Sequence, residues 1–267
     1  MLAITLNLAA RLTRRKTITF ANIATTRAQA NDLFALYAKL IAAWVDAQYR
    51  IVAEYERTLG ELQTDSSSTT GSTIDSIADE IQRLVILLTP DLRRWALRVE
   101  SVQRGKWVQS VLSATDIDLS TILSAADVEE TVEAVLNWNT SLIRDVSDEI
   151  RRRISNSVFA GFQRRAPARE IAKEIREATG MARARAVRIA GDQTVKLGSR
   201  LNEARQKQAG LTHFKWRHSA KRHPRIWHEA RDGHVYPWKD SGIPASDMPG
   251  IPPFCGCTAQ GVIVFDE

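Results

Sequence analysis

Soft and titratable ligands are scarce in this chain of 267 residues: two cysteines and five histidines. Two cysteines are too few for a disulfide framework. Set as Cys255-Gly256-Cys257 they are also badly placed to bond each other, because so short a ring is strained. A reducing compartment is the simpler expectation. Long apolar runs are absent too, and nothing approaches the ~20 residues of a membrane span. The opening stretch, MLAITLNLAARLTRRK, carries its charges after its apolar part and is broken by Asn7, so an ordinary N-terminal helix or arm is expected there, not a signal peptide. Catalytic templates are missing as well: there is no G-x-S-x-G, no phosphate-binding G-x-x-x-x-G-K, no G-x-G-x-x-G and no H-E-x-x-H.

The few ligands present are concentrated. All five histidines, His213, His218, His223, His228 and His234, precede the two cysteines within residues 213–257. Imidazole and thiolate are the ligands zinc prefers, usually four in a closed structural site. Cys255 and Cys257 would come from one tight turn, with Gly256 letting the backbone bend. His228 is the natural third ligand, and His223 or His234 is a candidate for the fourth. One structural zinc would clip shut a module with too little core of its own. The bland alternative is two packed thiols with surface or capping histidines. Trp216, Trp227 and Trp238 lie among the histidines; core packing is the favoured role for them, base stacking the other.

Charge is as unevenly placed. The net charge of +6 hides a block from Arg151 to Arg231 with 21 basic and 6 acidic residues, against 16 basic and 25 acidic elsewhere. Such a block suggests an anionic partner, either nucleic acid or an acidic protein surface. Arg151, Arg152, Arg153, Arg164, Arg165, Arg183, Arg185 and Arg188 are its candidate contacts.

Periodicity is helical over most of the chain. Leu33, Tyr37, Leu40, Trp44, Ile51 and Tyr55 predict one helix of some eight turns with Asn31 as N-cap. QTDSSSTTGST then reads as a linker over 63–73. A helix with Ile74, Ile77, Ile81, Val85 and Leu88 on one face is expected to close at Pro90. NWNTS is expected to interrupt the helix that runs from about residue 128 to 158, with Thr140 or Ser141 capping a new one. Pro167 suits the start of the following helix and Gly180 its end; a further helix should end at Gly210. After Gly210 the segments LTHFKW, HVYPW and TAQGVIVF read as short strands, and six of the eight prolines fall after residue 223. The fold class expected is mainly α, with long helices followed by a small α+β C-terminal module of short strands and irregular Pro/Gly-rich loops. The organisation expected is an N-terminal helical arm (1–62), the linker (63–73), a helical region (74–165) and the module (166–267).

RAVRIAGDQTVKLGSRLNEARQKQAG (185–210), FKWRHS (214–219), HPRIWHEARDG (223–233) and CGC (255–257) occur in an order and spacing that resemble the phage Mu F-like head morphogenesis family, also called minor head proteins. The resemblance covers about residues 150 to 265. It marks Asp192, Trp216, Arg225 and Gly233 as structural motif positions. The chain departs from the family pattern in carrying Gly191 and Gly256 where arginine is usual, and in lacking a histidine just before C-x-C. The resemblance implies a non-enzymatic virion component near the portal vertex, acting in head assembly and in DNA packaging or ejection. Its partners would be the portal protein, neighbouring head proteins or the capsid interior, packaged DNA and copies of itself, with no membrane. It would reside in the host cytoplasm only during assembly. With ten residues after Cys257, no C-terminal effector domain is expected. Two alternatives are a basic, His-rich, metal-dependent nuclease, for which Glu229 and Asp232 are the only acids among the histidines, and a non-catalytic DNA-binding module.

Overall fold

The computed structural model describes residues 17–61 and 67–265. The expected arm over the first sixteen residues lies outside them. The elements in chain order are β1 (Thr17–Thr19), α1 (Arg27–Asp46), α2 (Gln48–Glu61), α3 (Ser67–Thr115), α4 (Glu129–Arg164), α5 (Ala168–Gln208), β2 (His213–Arg217), α6 (Ile226–Ala230), β3 (Val235–Pro237) and β4 (Thr258–Val264), with short 3-10 turns at Ala126–Val128 and Ala245–Asp247. The protein is mainly α with a small C-terminal antiparallel sheet, as its periodicity predicts. No helix among the described residues is long and apolar enough to cross a membrane.

Several expected helix breaks are absent. Ser67 onward is helix, so residues 67–73 of the Ser/Thr-rich stretch read as linker are helical, and residues 62–66 lie outside the described residues. Pro90 lies inside α3, not at its end. Pro90 is exposed while Leu88 and Leu92 on either side are buried, so packing holds the helix across the missing N–H. NWNTS does not interrupt α4, because the buried stripe passes through it: Asn139 is buried and accepts a hydrogen bond from the Tyr37 hydroxyl at 3.2 Å, and Ile143 continues the face. Thr140 caps nothing; its hydroxyl bonds back to the Leu136 carbonyl at 2.9 Å. Gly180 is an exposed mid-helix residue of α5, whereas Gly210, at φ 75°, does follow the helix end as expected. The single eight-turn helix is interrupted at Ala47, and its cap is Thr26, not Asn31: the Thr26 Oγ1 accepts the Gln29 N–H at 3.2 Å and Gln29 Oε1 accepts the Thr26 N–H at 2.8 Å.

The chain forms two compact units whose segments alternate along the sequence. Unit 2 gathers residues 31–93 and 136–190. Its core is built from helix faces that include Tyr37, Trp44, Ile51, Ile77, Val85, Ile143 and Ile154, and Trp44 Nε1 donates to Ser147 Oγ at 3.0 Å. Unit 1 gathers residues 1–30, 94–135 and 191–267. The helices α3, α4 and α5 each contain residues of both units.

Unit 1 carries the sheet, in the order β1-β4-β2-β3, with every pair antiparallel. The three expected strands are β2, β3 and β4. β1 was not foreseen in a segment read as helical arm; it pairs Ile18 with Ile263. One apolar cluster joins Ile18, Phe20, Trp107, Val111, Leu211 and Ile263. A second joins Phe214, Trp216, Ala259, Cys255 and Cys257. Polar side chains of α5 tie these parts together: Asn202 Nδ2 donates to the Ile23 carbonyl and Gln206 Nε2 to the Ala259 carbonyl, both at 2.8 Å.

The most demanding polar group in unit 1 is Arg205, whose side chain is 3% exposed. It meets Glu100 at 2.7 Å, Asp127 at 3.2 Å and the Ser124 carbonyl at 2.6 Å. Removing one partner of a buried ion pair leaves the other uncompensated. Arg205→Ala is therefore expected to cost about 3 kcal/mol of stability, read as a lower urea midpoint with the denaturant slope unchanged.

Candidate metal centre

The segment PPFCGC has no regular structure and cannot satisfy its own backbone, so its position is set by its neighbours. Asp192, on α5, accepts the Phe254 N–H at 2.6 Å. Lys196 holds the same carboxylate at 2.6 Å. From the other side Arg225 donates to the Pro253 carbonyl at 2.9 Å, and Lys221 to the Phe254 carbonyl at 2.6 Å. Phe254 is thus fixed in the left-handed region, at φ 58°, immediately before Cys255. Gly250 sits at φ +79° with Ser199 Oγ 1.9 Å from where a Cβ would be, so only glycine lets this loop lie against α5. Gly256 has a different reason from the one expected. It has no positive φ; a Cβ there would meet Ser219 and Lys221 at under 3 Å, so the requirement is close approach and not a bend.

The held loop presents Cys255 and Cys257 to His228 on α6. His228 Nδ1 lies 3.5 Å from Cys255 Sγ and 3.6 Å from Cys257 Sγ, and all three ligand atoms lie within 4.8 Å of one another. The three residues are 2–3% exposed. Ligands about 2.0–2.3 Å from a tetrahedral zinc are separated by roughly 3.5 Å. The donor set and its spacing therefore fit a metal such as zinc. The other face of the imidazole is committed: Nε2 is 2.9 Å from Asp247 Oδ1. A carboxylate can only accept, so Nε2 carries the proton and Nδ1 turns its lone pair to the sulfurs, the arrangement of carboxylate-supported metal histidines. Arg231 holds the second Asp247 oxygen at 2.6 Å. Burial works against the Asp247 charge, but hydrogen bonds from His228, Arg231 and Trp227 outweigh it and keep this carboxyl below its ordinary range.

The two thiols are inequivalent. A hydrogen bond from the Cys257 thiol, helped by the Cys257 and Gly250 backbone N–H groups, overcomes burial and lowers Cys255 to about 5. The same bond, and burial, push Cys257 upward. The Trp216 indole N–H has no hydrogen-bonded oxygen or nitrogen partner and favours a charged Cys257 sulfur, which also fits a metal-bound pair of thiolates.

Asp192, Trp216, Arg225 and Gly233 each have identifiable contacts. Asp192 and Arg225 clamp the cysteine loop. Trp216 is fully buried with its ring edge-on to His228 at 4.9 Å, and Arg231 stacks over it at 5.1 Å. Gly233, at φ +80°, donates its N–H to the Trp216 carbonyl at 2.9 Å. His223 and His234 are exposed and outside the three-residue cluster; His213 and His218 are half-buried and also outside it. Asp247 was missed in the sequence, where an acid in a Pro/Gly-rich loop gives no sign of its partner.

The candidate anion contacts divide. Arg151 pairs with Asp75, Arg152 and Arg153 with Glu149, and Arg164 with Glu170 and Glu174. Arg183 lies over the Phe34 ring at 5.0 Å. Arg165, Arg185 and Arg188 are exposed without such partners among the described residues.

Residues 148–260 match the family described as Phage Mu protein F like protein. This part of the chain is similar to that family. An uncharacterized protein of Haemophilus influenzae is 29% identical over 155 residues, which cover 57% of this chain and 34% of that protein. The chain thus spans about a third of the length of that relative. No solved structure matches. The Mu F-like segment contains α5, β2, α6 and β3, the whole His228–Cys255–Cys257 cluster and each residue that clamps it.

Two outcomes are expected. Asp192→Ala should loosen the cysteine loop and weaken zinc binding about tenfold or more, in line with other supporting-residue losses at metal sites, measured by competition with a chromogenic chelator. In metal-free protein, Cys255 ionises far below the ordinary thiol value of 9.0. Its contribution to stability is full above that value and is lost as pH falls toward about 5. The thiolate ultraviolet band should titrate in that low range in the native protein, and Cys255→Ser should abolish it.

Proposed function

We propose that the protein is a minor head protein of a phage or prophage, acting beside the portal vertex in head assembly and in DNA packaging or ejection. The observation that carries this reading is the Mu F-like segment, whose motif residues converge on one buried cluster. A family of head morphogenesis proteins supplies the setting. The block of 21 basic and 6 acidic residues between Arg151 and Arg231 suits a surface lying against DNA or an acidic protein. Its place would be the phage head, with assembly in the host cytoplasm. Its partners would be the portal protein, neighbouring head proteins or the capsid interior, packaged DNA and further copies of the chain.

Within this reading His228, Cys255 and Cys257 would hold one structural zinc. The ion would supply cross-linking between α6 and the cysteine loop, which have little apolar core in common. Three protein ligands leave one coordination position, which no other His, Cys, Asp or Glu in the cluster takes. Bound metal would stabilise the folded module by mass action. Purified protein should carry about one zinc per chain by elemental analysis. Chelator should lower its melting temperature, and His228→Ala should abolish both the metal and the chelator effect. Absence of stoichiometric zinc together with indifference to chelator would remove the ion from this picture.

The portal reading is tested by co-expression with a portal protein of the same phage or prophage, followed by affinity capture and size-exclusion chromatography. A stable complex is expected; a chain that stays monomeric and is never captured with the portal would overturn the assignment. Incubation with plasmid and Mg²⁺, Mn²⁺ or Zn²⁺ should leave the DNA intact. Cleavage lost in His228→Ala would instead establish the nuclease.

A further inference from the structure

The clamp around the cysteine loop uses one side of residues 221–225 and leaves the other to solvent. Lys221 and Arg225 are anchored on the Phe254 and Pro253 carbonyls. Arg222 and His223 between them are exposed and have no hydrogen-bond or ion-pair partner among the described residues. From Arg217 to His228 there are four basic residues and no acidic one. The acids nearest in sequence and space are mostly engaged: Asp247 by His228 and Arg231, and Asp232 by the His218 N–H and Arg217. Glu229 alone is an exposed carboxylate on α6.

Two large aromatic rings flank this cationic stretch and face water. Trp227 is 54% exposed and Phe254 is 53% exposed. The other two candidate tryptophans are spent on packing: Trp216 is buried, and Trp238 lies against Phe214 at 4.4 Å. Trp227 is no loose side chain either. Its indole N–H points to Asp247 Oδ1 at 3.5 Å, and its ring meets His228 edge-on at 6.0 Å. A ring held at one edge with its face exposed, beside unpaired cations, is what single-stranded nucleic-acid sites use. Cations follow the phosphates and aromatic faces take the bases.

We propose that Lys221, Arg222, His223, Arg225, Trp227 and Phe254 form a contact surface for single-stranded nucleic acid, built on the outside of the metal-clamped loop. The proposal rests on the head-protein reading and moves its DNA contact. The surface arises from the His/Cys cluster's own supports, and not from the arginines of residues 151–188. Unpaired bases are the preferred ligand because a duplex offers no base face for Trp227 to stack on. An acidic protein surface would satisfy the cations but leave no reason for the flanking rings.

The test is fluorescence anisotropy of a labelled oligothymidine and of a duplex of equal length, titrated with the full chain over a range of salt. The single strand should bind more tightly than the duplex. Trp227→Ala should weaken it about tenfold, with little effect on duplex binding. Arg222→Ala should weaken both and reduce the salt slope by about one. Both side chains are exposed, and an unchanged melting temperature will show that the variants fold. Binding unaffected by Trp227→Ala and Arg222→Ala but lost in Arg185→Ala/Arg188→Ala would overturn the proposal while keeping DNA contact for the protein. No nucleic-acid binding, with capture of the portal that depends on Arg222, would overturn it in favour of a protein partner and leave the head-protein reading intact.

Discussion

Asp192 receives the backbone N–H of Phe254, and the order of the C-terminal loop follows from that contact. The loop from residue 238 to 257 has one 3-10 turn and no strand, so it carries backbone groups that nothing regular can pair. A carboxylate on a long helix is a fixed acceptor. Once Phe254 is held there, Cys255 and Cys257 follow in the next turn, and His228 can meet both from α6. Arg225 and Lys221 secure the carbonyls of Pro253 and Phe254 just before the cysteines. The cluster is therefore the end of a chain of supports and not a pair of cysteines that happened to meet a histidine.

Clamp and cluster depend on each other. Without the clamp the sulfurs would not lie 3.5 and 3.6 Å from one imidazole nitrogen. Without the cluster, α6 would be a helix of five residues with no side-chain N-cap hydrogen bond, too short to persist on its own. The buried Arg205 with Glu100 and Asp127 plays a comparable part at the far end of α5, fixing where that helix ends before β2 begins. In both places the energetic argument is satisfaction of buried polar groups, which costs more when missed than it gains when met.

The candidate site was legible to the extent that its ligands were scarce. Five histidines and two cysteines in one segment leave few combinations, and His228 with Cys255 and Cys257 is the one the structure brings together. Its helpers were less legible. His223 and His234 share the segment but face solvent, because spacing along an irregular chain says nothing about direction. Asp247 completes the histidine's environment from a loop that has no periodicity to read. The three tryptophans looked alike in sequence; only the structure separates Trp216, which is core, and Trp238, partly buried against it, from the exposed Trp227. Arginine counts say nothing of pairing: four of the eight named arginines are paired with carboxylates.

The sequence by itself determined the helical class, the late change to short strands and the identity of the buried faces, because each rests on local periodicity that any packing must respect. Ile77, Ile81, Val85 and Leu88 are buried as that pattern requires. Only the tertiary structure decided where helices stop. Pro90, NWNTS and Gly180 are breakers by local preference, worth about 1–3 kcal/mol each at most. Burial of Leu88 and Leu92, or of Asn139 and Ile143, on both sides of the weak point outweighs them. The same holds for Thr17–Thr19, whose partner strand lies more than two hundred residues away. A residue's neighbours in the chain set what it can form, and its neighbours in space set what it does form.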